Sequence, residues 1–185
     1  MENNLFDSLF AASQARVLRF LTRNDGRAFF EREIAEGTGV SRSAVNLATR
    51  ALHQSGLLQC EHRGRMNFYS ADDRHPFVRQ FKALDTLASL EPLLKELRPL
   101  SRQIYLFGSC AKGTNTAESD IDLFILTAER EQAMKIISRS LTTLPLQPVI
   151  MNNQELAETK EKDAAFFGQV KQGISLWEAS DELGT

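Results

Sequence analysis

The sequence predicts an α+β protein in which two modules are joined by a helical linker. Residues 1–74 combine helical spacing with an alternating hairpin pattern, and 75–100 carry a regular series of leucine and phenylalanine. Residues 101–185 contain two short apolar runs separated by a polar turn. With 185 residues and 42% hydrophobic composition, the chain is long enough to bury one ordinary core or two small ones.

Charge is unevenly distributed along a chain whose formal net charge is -2. Residues 1–82 carry twelve Lys or Arg against nine Asp or Glu, whereas the remainder carries ten against fifteen. A polyanionic partner is therefore expected to meet the N-terminal part first. No apolar run of membrane-spanning length and no secretion signal occur, so we expect a cytoplasmic protein in which Cys60 and Cys110 are reduced thiols.

The N-terminal module is expected to begin with three helices. The first starts at Ser13 and ends at Asp25-Gly26, and its apolar positions are Ala15, Val17, Leu18 and Leu21. A shorter helix through Ile34 and Ala35 and a turn at Gly37 to Gly39 precede a third helix, which Ser41 can cap. Two helices joined by a tight glycine turn are a helix-turn-helix candidate.

The third helix has an apolar face and a polar face. The apolar face is expected to contain Ala44, Val45, Ala48, Ala51 and Leu52, and the outward face Arg42, Ser43, Asn46 and Arg50. Arginine can fork onto guanine or pair with phosphate, and asparagine can bind adenine, so the outward face suits a major groove. Leu47 also lies outward, where it suits a thymine methyl group or a partner chain.

A basic hairpin is expected after this helix, which Gly56 ends. The segment "LLQCEHRGRMNFYSAD" alternates as two short strands with Arg63 and Arg65 at the tip. An ordinary helical domain with a solvated charged face would share the helical part of this pattern. The full order of helices, glycine turn and basic hairpin resembles the winged helix-turn-helix repressors of bacteria and archaea. The resemblance implies a transcriptional regulator that binds double-stranded DNA through Ser41, Arg42, Ser43, Asn46, Arg50, Arg63 and Arg65.

The linker, residues 75–100, is expected to form one long helix, or two because Pro92 interrupts the pattern. Its apolar series consists of Phe77, Phe81, Leu84, Leu87, Leu90, Leu94 and Leu97. Such a series packs either on its own molecule or against a second copy. Because winged-helix repressors usually bind DNA sites with two-fold symmetry, we expect a homodimer.

The stretch "LFGSCAKGTNTAESDIDLFIL" contains the candidate chemistry. Gly108 and Ser109 follow an apolar strand, where glycine permits close backbone approach and a helix N-terminus favours phosphate; Lys112, one turn later, can add a positive charge. Asp120 and Asp122 then project from one face of a second strand. Two adjacent carboxylates suit Mg²⁺ bound together with substrate phosphates.

Alone, a Gly-Ser pair usually forms a turn, and an Asp-x-Asp motif usually has no function beyond lying on the surface. Together, the two motifs are a more specific sign of function. "GS" followed by "SDIDL" resembles the polymerase-beta-like nucleotidyltransferases, in particular the small stand-alone members. The resemblance implies a mixed sheet with flanking helices. It also implies that Gly108 and Ser109 hold a nucleoside triphosphate, that Asp120 and Asp122 are the catalytic and metal-binding residues, and that the chemistry is attack on an alpha phosphate.

One expected residue is missing from this pattern. Active members of the family usually carry a third carboxylate on a later strand, which should here be Leu144 to Asn153, and that segment contains no Asp or Glu. Gln147 and Asn152 are poor replacements for a charge, and Glu155 fits a helix start better. A nucleotide and one metal ion can still bind to such a site, but the attacking group lacks its base.

Three functions follow from these motifs. We favour a DNA-binding transcriptional regulator whose nucleotidyltransferase fold senses a nucleotide or provides a protein surface, because that role tolerates the missing carboxylate. The alternatives are an active Mg²⁺-dependent nucleotidyltransferase targeted by its winged helix, and a partner protein of the toxin-antitoxin kind. A carboxylate reaching the pair from Glu155 or Glu118 would favour the enzyme.

Overall fold

The computed structural model describes residues 12–179. The described residues divide into two compact units, one formed by residues 12–88 with 113–117 and the other by residues 89–112 with 118–179. Within residues 12–179, no helix is both long enough and apolar enough to cross a membrane.

Within residues 12–88 the first unit contains the three helices that the sequence predicts: α1 (Ser13–Arg23), α2 (Glu31–Thr38) and α3 (Arg42–Gln54). The Ser41 hydroxyl accepts a hydrogen bond from the Ala44 amide at 3.3 Å, so the predicted cap of α3 is confirmed. The predicted turn at Gly37 begins later, because α2 continues to Thr38 and ends at Gly39, whose φ of 67° is left-handed.

A three-stranded antiparallel sheet completes this unit. The strands are β1 (Phe29–Phe30), β2 (Leu58–Arg63) and β3 (Met66–Ala71), in the order β1-β3-β2. The predicted hairpin is confirmed as β2 and β3, which pair from Leu58 opposite Ala71 to Arg63 opposite Met66. The sequence did not predict β1, because two residues are too short to show an alternating pattern.

Helix α3 buries a face slightly different from the predicted one. Val45, Ala48 and Leu52 are buried as expected, Ala44 is half-buried, and the fully buried Thr49 joins them. Ala51 is exposed, so its predicted inward position is wrong. The spacing i, i+3, i+4 and i+7 from Val45 selects Thr49 and Leu52, whereas Ala51 falls outside that stripe. The Thr49 hydroxyl is accommodated because it donates to the Asn46 carbonyl at 3.2 Å.

The apolar series of the linker lies on one continuous helix, α4 (Pro76–Leu97), which contains Pro92 and is followed by a 3₁₀ turn at Arg98–Leu100. The members buried within the chain itself are Phe81, Leu90, Leu94 and Leu97. Phe77 is 55% exposed and Leu84 is 37% exposed. Most of the series therefore packs on its own molecule.

The second unit is built on a four-stranded mixed sheet, as predicted. Its strands are β4 (Gln103–Phe107), β5 (Ile121–Leu126), β6 (Leu146–Met151) and β7 (Ile174–Glu178), in the order β6-β5-β4-β7. Strands β5 and β6 are parallel, and the other pairs are antiparallel.

Four helices accompany this sheet: α5 (Gly108–Lys112), α6 (Arg130–Arg139), α7 (Asn153–Lys162) and α8 (Ala164–Lys171). On one face Tyr105, Phe107, Phe124 and Leu126 form a core cluster with Val170 of α8. The alternate residues Ile104, Leu106, Leu123 and Ile125 are fully buried as well. Burial of both faces explains why β4 and β5 are almost continuously apolar in sequence.

Candidate functional site

Gly108 and Asp122 meet where β4 ends. Phe107, the last residue of β4, pairs with Asp122 on β5, and Gly108 then turns with a φ of 70°. A Cβ atom added to Gly108 would lie only 2.0 Å from the Asp122 carboxylate. The turn therefore requires glycine for two reasons, its left-handed backbone and the closeness of this carboxylate.

The Asp122 carboxylate is partly shielded from solvent. Asp122 is half-buried on β5, whereas Asp120 is exposed and immediately precedes the first residue of the strand, Ile121. Burial, and secondarily the negative charge of Asp120, raise the pKa of Asp122 above its usual value. A divalent cation would stabilise the ionised form of Asp122 beside Asp120, and carboxylate oxygens are the ligands that Mg²⁺ prefers. The residues therefore fit a metal ion.

Helix α5 is attached to the carboxylate segment by Cys110. This thiol is fully buried, and its sulfur donates to the Asp120 carbonyl at 3.4 Å. Ser109 is half-buried in the first turn, and Lys112 is exposed at the end of the helix. The sequence predicts a reduced thiol at Cys110 but not this contact. Its structural role depends on a contact across ten residues that no local pattern reveals.

Gln147 occupies the position beside Asp122 on the neighbouring strand. In the parallel pairing of β5 and β6, Asp122 lies opposite Gln147. Adjacent strands are about 4.8 Å apart and paired residues point to the same face of the sheet. Gln147 is exposed, and its pairing with Asp122 puts its side chain on the same face of the sheet as that carboxylate. A neutral side chain therefore stands at the position on β6 nearest to Asp122.

Glu155 belongs to a different part of the unit. It accepts a hydrogen bond from the Asn152 amide at 2.8 Å, completing the capping box of α7, and pairs with Arg130 at 2.7 Å. These two interactions, the first being the stronger, hold the pKa of Glu155 below its usual range. Asn152 follows Met151, which pairs with Leu126 at the other end of β5. By strand rise, Leu126 is about 13 Å from Asp122. The predicted helix-start role of Glu155 is confirmed.

No third acidic ligand joins the pair in the described part of the chain. Glu118, two residues before Asp120, is exposed. Across residues 12–179, no group of three or more His, Cys, Asp or Glu side chains is arranged to hold a metal ion. Asp120 and Asp122 thus form a two-carboxylate site in the region that the structure describes.

The outward face of α3 is less uniformly open than the sequence suggests. Arg42, Ser43 and Arg50 are exposed, and neither arginine forms an ion pair within residues 12–179. Asn46 is half-buried, and its side-chain amide donates to the Glu31 carboxylate of α2 at 2.8 Å. Leu47 is 68% exposed. The prediction that Asn46 points outward therefore has to be corrected, because its amide is engaged between helices.

The two arginines of the hairpin differ in their surroundings. Arg63 pairs with Glu61 at 2.6 Å, and its guanidinium lies 4.7 Å from the centre of the Phe68 ring. Arg65 is exposed in the turn beside Gly64 and has no ion pair among the described residues. Arg65 is thus the more available of the two for a phosphate contact.

Comparison with known proteins bears on the second unit. Residues 87–178 match the model of the Nucleotidyltransferase domain. Over 92 residues the chain is 33% identical to the Protein adenylyltransferase MntA of Shewanella oneidensis, a match that covers 40% of this chain and 66% of that protein. The chain therefore spans just under two thirds of the length of this relative.

Solved structures also resemble parts of the chain. AF1382 from Archaeoglobus fulgidus has a TM-score of 0.36 and 17% identity, covering 43% of this chain and 91% of its own. A Sulfolobus solfataricus protein provisionally assigned as a nucleotidyltransferase has a TM-score of 0.38 and 18% identity, covering 56% of this chain and 89% of its own. Residues 87–178 are therefore similar to nucleotidyltransferase domains, and part of the chain is similar to this adenylyltransferase.

Proposed function

We propose that this protein is a cytoplasmic, homodimeric DNA-binding regulator whose nucleotidyltransferase domain binds a nucleoside triphosphate with Mg²⁺ without completing nucleotidyl transfer. The observation that carries the proposal is the pairing of β5 with β6, which puts the neutral Gln147 beside Asp122. A site with two carboxylates and no third acid is suited to holding a metal-bound nucleotide rather than to activating an attacking group.

Nucleotide binding rests on the residues around the β4–α5 turn. In the proposal Gly108 and Ser109 hold the triphosphate, Lys112 adds a positive charge, and Asp120 and Asp122 hold Mg²⁺. The bound metal ion would neutralise phosphate charge. Because burial and Asp120 already raise the pKa of Asp122, a cation at this pair also stabilises the ionised carboxylates.

Nucleotidyl transfer is expected to fail because Gln147 cannot replace a carboxylate. A carboxylate beside Asp122 could accept a proton from an attacking hydroxyl or bind a metal ion that activates it. The carboxamide of Gln147 is neutral and does not take up a proton at ordinary pH. The attacking group would then keep its proton, and the nucleotide would remain intact.

DNA binding rests on the exposed cations of the first unit. Arg42, Arg50 and Arg65 are exposed and free of ion pairs in the described part of the chain, so each can contact phosphate or a base edge. Ser41 and Ser43 lie at the exposed start of α3, where hydroxyl groups can contact phosphate. To contact DNA, Arg63 would first have to break its ion pair with Glu61, and Asn46 its hydrogen bond to Glu31.

The test measures both binding activities on the full chain. We expect saturable binding of ATP that requires Mg²⁺ and is lost when Asp120→Asn and Asp122→Asn are combined. Duplex DNA should bind with an affinity that falls steeply as salt rises, and Arg42→Gln with Arg50→Gln should weaken it. DNA binding that is weak and insensitive to salt would refute the regulator. Absence of ATP binding would refute the nucleotide site independently.

A second candidate is protein adenylyltransferase activity, and the 33% identity to the Protein adenylyltransferase MntA favours it. In that case label would pass from ATP to a protein acceptor, and the combined Asp120→Asn and Asp122→Asn variant would abolish the transfer. The first unit would then target the enzyme rather than regulate transcription.

A further inference from the structure

Two aromatic rings of the second unit lie beside the Asp122 carboxylate. Phe107 pairs with Asp122 in the register of β4 and β5, so the two side chains lie on the same face of the sheet, about 5 Å apart. The ring of Phe166, on α8, meets the Phe107 ring edge to face, with 5.8 Å between the ring centres. These two steps put the Phe166 ring roughly 10 Å from Asp122.

Phe166 is held in place by the first turn of α8. The Asp163 carboxylate caps this helix by accepting a hydrogen bond from the Phe166 amide at 2.9 Å. The Phe166 side chain is half-buried, whereas its neighbour Phe107 is buried, so part of the Phe166 ring is open to solvent. Ala164 and Ala165, which precede it in the turn, are small and exposed. A ring fixed in this way loses little conformational freedom when a second flat ring packs on it.

The adjacent Phe167 is placed differently. Its ring packs against Phe124, with 6.1 Å between the ring centres. Phe124 lies two residues beyond Asp122 on β5, so this contact is about 7 Å farther along the strand. The Lys160 ammonium also lies 5.1 Å from the centre of the Phe167 ring. Phe166 is therefore the better placed of the two rings for a ligand held at Asp122.

We propose that the base of a nucleoside triphosphate held at Asp120 and Asp122 stacks on the Phe166 ring. This inference rests on the nucleotide binding proposed above and assigns the contact that the base makes. The phosphates of such a ligand suit the carboxylate pair with its metal ion, and the base gains free energy by stacking on an aromatic side chain. The ribose and the α phosphate separate the base from the metal-bound phosphates by a distance of the same order as that between Phe166 and Asp122. Because every base has an aromatic face, stacking favours nucleotides over inorganic phosphates without strongly selecting one base.

The test is a calorimetric titration of the full chain, in the presence of Mg²⁺, with ATP and with inorganic tripolyphosphate. We expect the wild type to bind ATP more tightly than tripolyphosphate. Phe166→Leu should weaken ATP binding about tenfold and leave the affinity for tripolyphosphate unchanged, which also shows that the variant is folded. Phe166→Tyr keeps an aromatic ring and should bind ATP as the wild type does.

Phe167→Leu is the matched control, because Phe167 adjoins Phe166 on α8, is also half-buried and also packs on an aromatic ring of the sheet. It should bind both ligands as the wild type does. Equal weakening of ATP binding by the two leucine variants, or a loss in Phe166→Tyr as large as in Phe166→Leu, would overturn the proposal. Tripolyphosphate binding with no effect of Phe166→Leu on ATP would overturn the stacking alone, whereas failure of the wild type to bind either ligand would overturn the nucleotide site as well.

Discussion

Gln147→Glu adds a carboxylate beside Asp122 while leaving the shape of the side chain almost unchanged. The paired positions are about 4.8 Å apart, and two unit charges about 5 Å apart interact by about 0.8 kcal/mol in water and about 3 kcal/mol at an effective dielectric of 20. Because Gln147 is exposed and Asp122 is half-buried, the cost should lie near the lower figure, about 1 kcal/mol. The matching fall in melting temperature is about 2–4 °C for a chain of this length.

The assay is thermal unfolding in EDTA and in Mg²⁺. In EDTA the Gln147→Glu protein should melt below the wild type, and Mg²⁺ should raise its melting temperature more than that of the wild type. Gln80→Glu is the matched control, since Gln80 is exposed on α4, outside residues 87–178. If Gln147→Glu responds to EDTA and Mg²⁺ as Gln80→Glu does, position 147 does not adjoin the carboxylate pair and the reasoning fails.

Three other substitutions test separate parts of the structure. In thermal unfolding, Gly108→Ala should destabilise the protein by more than the roughly 1–2 kcal/mol that left-handed backbone strain costs, because the added Cβ also collides with Asp122. The control is Gly168→Ala on α8, where the added Cβ meets open space; this variant should be as stable as the wild type or more stable. Burial raises the pKa of Asp73 to about 6 from 3.8, so its stabilising effect is full below 3.8 and is lost as pH rises through 6. Urea titrations should therefore show that Asp73→Asn gains stability relative to the wild type as pH rises from about 4 to about 7; an unchanged difference would contradict the assignment. Arg65→Gln should weaken duplex DNA binding about equally for all sequences and lower the salt slope by about one; an unaltered slope would exclude Arg65 from the interface.

The elements that periodicity defines could be predicted from sequence. Helices α1 to α3 and the β2–β3 hairpin follow from spacing and caps, whereas the mixed sheet is implied by the resemblance of "GS" and "SDIDL" to the nucleotidyltransferases. Strand β1 is too short for any pattern. Helical spacing from Val45 puts Thr49 on the buried side of α3, where its hydroxyl donates to the Asn46 carbonyl. The predicted apolar face of α3 omits Thr49, because a threonine does not count as apolar in a sequence pattern.

Contacts between distant segments could not be predicted. The sequence shows that the later strand lacks an acid, but only the register of β6 on β5 identifies Gln147 as the neighbour of Asp122. The sequence predicts that Asn46 points outward, whereas in the structure its side-chain amide donates a hydrogen bond to Glu31. Lys82 is buried beside Asp25, 57 residues away in sequence, in a contact that the chain makes only when folded.

The fate of bound ATP tests the central claim most directly. The full chain is incubated with Mg²⁺, α-labelled ATP, duplex DNA and candidate protein acceptors, and the label and released pyrophosphate are measured. We predict that ATP is bound and recovered intact, with no labelled protein or DNA and no pyrophosphate above the level of the combined Asp120→Asn and Asp122→Asn variant. Label transfer with pyrophosphate release by the wild type, abolished in that variant, would contradict the account and establish an active transferase.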